Sequence, residues 1–456
     1  MKNTFLIFLS ISFSSLAQFS VGHTTITFND PARTGGFGSG GGNGRQIQTE
    51  IYYPSTSSGT NTPFVNGEFP VIVFGHGFAM TWDAYSNIWD HFVPRGYIMA
   101  FVRTESSLFP SPSHNDFGLD LKLVAEKMLT LPNSNALFQN HVYPKVGLMG
   151  HSMGGGASFL AANSNGNIHA LIGLAPAETT PSAIAASPNV LVPSIVFSGS
   201  SDGVTPPDQH HIPLFNGIAS NCKTFVSITG GGHCYFANTN FNCDFGESTS
   251  STGISISRTE QQLLTFEVLD PWVDYILKDS CGAYEDFQMS LTNTAGIVGQ
   301  TTCPTHPMVD ITQNGSILQT SAVGTSYQWF LNGQLIPGAT ANFYDMGQNP
   351  GGVYRVQVTY PFGCGVSPNL NILGVKNPLL DVISFTPNPT KDFIRIFNES
   401  KDNLHTTLFS MNGEKLMDFC FDEPENKLDL SQLSPGMYLL QFEQNGYKRM
   451  DKIIRE

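Results

Sequence analysis

From residue 18 to 282 the chain alternates two hydrophobic patterns. Near-continuous apolar runs, "FPVIVFGHGF", "YIMAFVRTE", "KVGLMGHS", "IHALIGLAP", "VPSIVFSGS" and "CKTFVSITGGGHCYF", are bounded by glycine, proline or charged residues, as strands buried on both faces are. Between them lie segments of helical character: "WDAYSNIWDHFVPRG", "NDFGLDLKLVAEKMLTL" and "MGGGASFLAAN", with "RTEQQLLTFEVLDPWVDYILKD" closing the series. Strands of this kind need helices over both faces, so the pattern predicts an α/β domain around a mostly parallel sheet. An earlier strand, "QIQTEIYYP", ends at Pro54. The glycine cluster before it, "TGGFGSGGGNGR", leads into no Gly-Lys-Ser/Thr and opens no helix, so it reads as a loop and not a phosphate cradle.

The pattern changes after Cys281. Residues 283–302 read as a linker, and residues 303–374 as short alternating strands with turn signals, including "SYQWFLNGQLIPGAT" and "GVYRVQVTY". Trp329 and Tyr354 resemble the core tryptophan and late-strand tyrosine of immunoglobulin-like β-sandwiches, with Cys303 and Cys364 as a possible staple. Packing, not ligand binding, is the expected role of Trp329. Residues 376–456 form a last small all-β segment. Its "SFTPNPTKDFIRI" opening, "LFSMNGEKL" middle, Leu-Ser-Pro-Gly-Met-Tyr turn and lysine-containing end resemble the C-terminal sorting domain read by type IX secretion. That resemblance implies passage through the outer membrane and the export machinery as a partner, leaving the protein secreted or attached to the cell surface.

Composition narrows the possibilities. The chain of 456 residues is 40% hydrophobic and only 13% charged, with a net charge of −14 from 22 Lys+Arg against 36 Asp+Glu. This lacks the basic footprint that a nucleic-acid partner requires. The start, "MKNTFLIFLSISFSSLAQ", has one lysine, a short apolar run and small residues at Ser15 and Ala17, the pattern of a signal peptide over residues 1–17. No later stretch is long and apolar enough for a transmembrane helix. Export would place the seven cysteines in an oxidising compartment, where they largely pair. A monomer is expected.

Gly150-His151-Ser152-Met153-Gly154 fits G-x-S-x-G between an apolar strand and a small-residue helix, the context of a nucleophile elbow. A serine needs a base, and the base needs an orienting group; on such a sheet they follow in the order serine, acid, histidine. "VPSIVFSGSSDGVTPP" delivers Asp202 just past a strand end, and "CKTFVSITGGGHCYF" delivers His233 after three glycines. All three sit where strands end, so they can converge at one edge of a parallel sheet. His76 and His151 read as structural neighbours, His210 and His211 as rivals of His233, and Glu178 and Asp208 as weaker acids. For the oxyanion that forms on the attacked carbonyl, the amides of Met153 and Phe78 are the expected donors, Gly77 letting the Phe78 backbone approach. No histidine or cysteine spacing fits a metal site, and no cofactor is expected.

In that order, "GHGF", "GHSMGG", "SDGVTPP" and "GGGHCYF" resemble the cutinase-like polyester hydrolases of the α/β-hydrolase fold, including those that cleave polyethylene terephthalate. The resemblance covers about residues 25–280. It implies a serine ester hydrolase with Ser152, Asp202 and His233 as triad, Phe78 and Met153 as oxyanion donors and acyl-pocket residues, and a polyester or small ester as substrate. In that family a tryptophan commonly flanks the substrate ring after the elbow. Here nothing aromatic occurs between His169 and Phe197, and Thr180 or a neighbour takes that place. Gly199 stands where the family often has a cysteine, which leaves Cys234 to pair elsewhere nearby, with Cys243 as a candidate.

Overall fold

The computed structural model describes residues 19–163, 167–304, 309–347, 351–360, 363–372, 382–400, 402–445 and 447–456. The leader expected over residues 1–17 lies outside them. Two compact units are distinguished. One is drawn from Met1–Val309, Ala322–Tyr327 and Gln357–Ser367, the other from Asp310–Ser321, Gln328–Val356 and Pro368–Glu456.

The first unit is built on one eleven-stranded sheet. Its strands are β1 (Ser20–Asp30), β2 (Gly36–Phe37), β3 (Arg45–Ser55), β4 (Gly59–Thr60), β5 (Phe69–Gly75), β6 (Ile98–Val102), β7 (Val142–His151), β8 (Ala170–Leu174), β9 (Ser194–Gly199), β10 (Lys223–Ile228) and β11 (Ile297–Thr301). The helices are α1 (Ser86–Phe92), α2 (His114–Thr130), α3 (Met153–Ala162), α4 (Ala183–Ala186), α5 (His211–Gly217), α6 (Phe241–Ser250), α7 (Arg258–Leu277) and α8 (Ala283–Asn293). Strands run in the order β11-β10-β9-β8-β7-β5-β6-β3-β1-β4, with β2 paired to β3. The six from β10 to β6 are mutually parallel, while β1, β3 and β11 pair antiparallel at the flanks.

Central strands β5, β6, β8 and β9 are buried at every position, as their unbroken apolar runs require. Alternate residues feed two cores. Val71, Val73, Leu148 and Leu171 face the layer holding Leu121, Val124 and Phe159 of α2 and α3. Ile72, Phe74, Met149 and Ile172 face the layer holding Ile88, Trp272 and Phe287 of α1, α7 and α8. The α/β reading, with helices on both faces, is thus the observed architecture.

Residues 283–302 are not a linker. They form α8, whose Tyr284, Phe287 and Leu291 are buried in the second core, and β11, which pairs antiparallel with β10. The β11 sequence "IVGQT" is short, mostly exposed and interrupted by glycine, so its pattern carries little signal. This edge strand also redirects the cysteines. Pairing of Thr224 with Thr301 brings Cys222 opposite Cys303, and these two are bonded. Cys281 bonds Cys364, so the expected Cys303–Cys364 staple does not form, and Cys420 is an exposed free thiol. β1 had no counterpart in the hydrophobic pattern, because its threonines keep it only partly apolar.

Beyond β11 the described chain is all β, in antiparallel sheets. Trp329 is fully buried, its Nε1 donates to the Ala341 carbonyl at 3.0 Å, and Tyr344 lies between it and Tyr354. That is a packing role. Further on, one sheet orders Ile383–Thr386, Phe393–Asn398 and Glu425–Asp429; another orders Lys415–Phe421, Leu404–Ser410, Gly436–Gln444 and Tyr447–Arg455. Ile394, Ile396, Leu408, Leu440 and Phe442 form their apolar core.

Candidate active site

The chain leaves β5 for β6 on one side of the sheet, then returns to β7 on the other side and proceeds to β8, β9 and β10. Loops after β5 and β7 therefore diverge, which opens a crevice at the carboxyl edge of the parallel strands. Register aligns the strand ends: Gly75 pairs with Gly150, His151 with Leu174, Leu174 with Phe197, and Phe197 with Val226. Phe78, Ser152, Asp202 and His233 all follow along this edge.

Ser152 is the turn residue between β7 and α3. Its φ of 55° and ψ of −121° place a non-glycine residue in a strained region. Three bonds hold it there: its N–H donates to the Leu174 carbonyl at 3.0 Å, and its carbonyl accepts from Gly156 at 3.1 Å and Ala177 at 2.9 Å. The motif glycines are steric necessities. A Cβ on Gly150 would strike the Gly154 carbonyl, and one on Gly154 would strike the Gly75 carbonyl. Met153 opens α3, where the first N–H groups of a helix lack intrahelical acceptors and point toward negative charge.

Asp202 and His233 meet. His233 Nδ1 and Asp202 Oδ2 lie 2.7 Å apart with both side chains buried. Since a carboxylate only accepts, Nδ1 carries a proton. The other carboxylate oxygen accepts from the N–H groups of Val204 at 2.9 Å and Thr205 at 2.8 Å. Burial pushes the Asp202 carboxyl up, but the His233 charge and hydrogen bond, His211 and the Thr205 amide together hold it below its usual value.

His233 is held from several elements. Its N–H and that of Cys234 both donate to the buried carboxylate of Glu247, the latter at 3.1 Å. Gln261 takes both backbone groups of Gly232, at 2.8 and 2.9 Å. From the elbow, His151 Nε2 donates to the His233 carbonyl at 3.0 Å, with the two rings 4.7 Å apart. That bond fixes the tautomer, so His151 Nδ1 accepts from the Tyr85 hydroxyl at 2.9 Å, and this hydroxyl accepts from the Gly77 N–H at 2.8 Å. Burial, reinforced by the His233 charge, keeps the His151 imidazole well below its usual value and neutral. One chain of bonds thus joins the loop before Phe78, the elbow and the His233 loop.

Of the rival residues only His211 lies against the Asp202–His233 pair. His76 packs between the carbonyls of Gly77 and Thr104. His210 accepts from the Glu178 N–H, Glu178 accepts from the Ile184 N–H, and Asp208 is exposed. His211 is nearer than its sequence position suggests, 3.7 Å from Asp202. Thr205 Oγ1 stands between them, 2.9 Å from both His211 Nε2 and His233 Nδ1 and 3.0 Å from Asp202 Oδ2. Burial drives the His211 imidazole down to about 3, so it stays neutral.

On the open side, Phe78 is 45% exposed, and Thr180 is exposed with its N–H donated to His114. Gly199 has no room for a side chain, because a Cβ there would come within 2.6 Å of the Gly231 and Gly232 carbonyls. Cys234 bonds Cys243 instead. The sequence pattern passed over Glu247, Gln261, Thr205 and Tyr85. Only the closeness of Glu247 to Cys243 hinted at the first, and nothing hinted at the rest.

Residues 13–254 match the sequence model of the family described as PET hydrolase-like. That match spans more than half of the 456 residues. The chain belongs to the PET hydrolase-like family. As a member, it is similar to a bis(hydroxyethyl) terephthalate hydrolase of Streptomyces coelicolor, 24% identical over 53% of this chain and 64% of that protein. It is also similar to the cutinase est1 of Thermobifida alba, 23% identical over 48% of this chain and 66% of that one. A chlorophyllase of Citrus unshiu is 29% identical over 38% and 56%. The chain therefore spans just under two thirds of the first two relatives and little over half of the third. Residues 384–456 match a secretion-system C-terminal sorting domain, which implies export and points to the type IX machinery. Among the described residues no helix is long and apolar enough to cross a membrane.

Proposed function

We propose that this family member is a secreted serine carboxylic ester hydrolase acting on polyesters, polyethylene terephthalate among them, and on short-chain esters. The observation that carries the reading is the buried His233–Asp202 pair set beside the elbow whose turn residue is the strained Ser152. In this reading His233 Nε2 takes the Ser152 hydroxyl proton as Oγ attacks the ester carbonyl. The carbonyl π electrons move onto oxygen, and the amides of Phe78 and Met153 donate to that oxyanion. Its collapse expels the alcohol, which leaves with the proton from His233. Water then attacks the acyl-enzyme, giving its proton to His233, and the acid departs as Ser152 recovers its hydrogen. Asp202 stays ionised throughout and stabilises the imidazolium.

The catalytic body, expected to end at 282, is better drawn through Thr301, because α8 and β11 complete its core and its sheet. Its relatives' names supply the substrate class: aromatic diester, cutin and chlorophyll are all esters. The test is turnover of p-nitrophenyl esters, present in the native protein and abolished in Ser152→Ala. Release of aromatic acid from polyester film, set against triglyceride and peptide hydrolysis, then tests the polymer. Triglyceride turnover faster by orders of magnitude would remove the polyester reading and leave a lipase.

A further inference from the structure

Helix α6 is built inside out. A helix on a soluble body turns its apolar stripe inward. Here the one fully buried residue is the acid Glu247, while Phe241 and Phe245 are 80% and 62% exposed. Spaced four apart, the two phenylalanines share a face, and their rings lie 6.2 Å apart at 21° to one another. They form a ridge of aromatic surface in water.

The ridge has a rigid mount. Asn240 caps α6 by accepting from the Cys243 N–H at 3.2 Å, and Cys243 is bonded to Cys234, the neighbour of His233. Asp244 is paired with Arg258 at 2.6 Å, and Glu247 holds the His233 loop. No acidic side chain of the helix is left unpaired toward the ridge, whose flanking residues Thr239, Asn240 and Asn242 are polar and uncharged. The surface thus suits a neutral, apolar ligand.

It is also continuous with the candidate cleft. Asn242 Nδ2 donates to the Ala79 carbonyl at 2.8 Å, and Ala79 follows Phe78, itself half exposed beside the expected oxyanion position. We propose that Phe241 and Phe245 are a docking subsite for the aromatic rings of a polyester chain, holding units beyond the scissile ester against α6. This rests on the ester-hydrolase reading above and names the ring-bearing substrate it favours. Aromatic rings stack on such a ridge in offset geometry, whereas an aliphatic polyester offers it only hydrophobic contact.

The test separates the two readings. In the full chain carrying Ser152→Ala, adsorption is measured on amorphous polyethylene terephthalate film and on polycaprolactone film. Phe241→Ser with Phe245→Ser is compared with Leu263→Ser, an exposed apolar residue on α7. Affinity for the aromatic film is expected to fall about 3- to 10-fold in the double variant, with little change on the aliphatic film. In the Ser152 background, the ratio of aromatic product from film to p-nitrophenyl ester turnover falls by a similar factor. Unchanged adsorption to the aromatic film, an equal loss on both films, or a loss no larger than that of Leu263→Ser overturns the proposal. Ester turnover surviving Ser152→Ala would instead overturn the catalytic reading, and the adsorption result would stand apart from it.

Discussion

Asp202 sets both carboxylate oxygens against donors in a buried pocket, and His233 has its backbone held from α6 and the elbow, with Gln261 of α7 gripping the neighbouring Gly232. Phe78, Phe241 and Phe245, joined to the same rim, stand in solvent with few polar constraints. One side is fixed by saturated hydrogen bonds in a low-dielectric interior, where a lost partner leaves an unpaired group at full cost. The other is fixed only by backbone and exposes apolar area. Damage to the first side should therefore appear in kcat or in folding, and damage to the second in the binding of large substrates.

The comparison breaks most decisively at Asp202. Asp202→Asn keeps the volume but removes the charge that holds His233 in its tautomer, so kcat for p-nitrophenyl butyrate should drop about 10⁴-fold with KM little altered. A drop below tenfold would mean that the acid lies elsewhere. Next, Glu247→Ala strands two buried N–H groups at His233 and Cys234. Unfolding free energy from urea titration should fall by about 2–4 kcal/mol, and kcat should fall with it.

His211 sharpens the buried side through pH. Its folded value, lowered to about 3 from the ordinary 6.5, means the unfolded chain takes up the proton first. Its contribution is present above pH 6.5 and is lost as pH falls toward 3. Between pH 7 and 5 the native protein should lose about 2 kcal/mol that His211→Asn does not lose, a difference seen in denaturant midpoints. The smallest effect lies on the open side. Phe78→Ala keeps the backbone N–H, so kcat on small esters should hold while KM for an aromatic diester rises by roughly fivefold, about 1 kcal/mol. A kcat loss as large as that of Asp202→Asn would show that the two sides are not separable.

The elbow and the strand ends were legible because they depend on local rules. Gly150 and Gly154 are required wherever a helix closes on a strand across a serine, and an apolar run ending in Ser-Gly-Ser-Ser-Asp ends a strand wherever it occurs. The buried supports were not legible. Glu247 lies in a segment rich in serine and phenylalanine whose polarity reads as exposed loop, and its partners are backbone amides with no sequence signature. The same holds for β11, whose pairing with β10 sent Cys303 to Cys222 and left Cys281 for Cys364.

By itself, then, the sequence determined the alternation of strand and helix, the position of the strained serine, and the places of Asp202 and His233 just past strand ends. These follow from hydrophobic periodicity and backbone sterics, which act over a few residues. Only the tertiary structure decided that His151 and Tyr85 link the Gly77 loop to His233, that Thr205 stands between His211 and Asp202, and that α6 turns its phenylalanines outward. Those outcomes depend on register between strands far apart in the chain and on which polar groups are forced to share a dry interior, and neither is written into any local pattern.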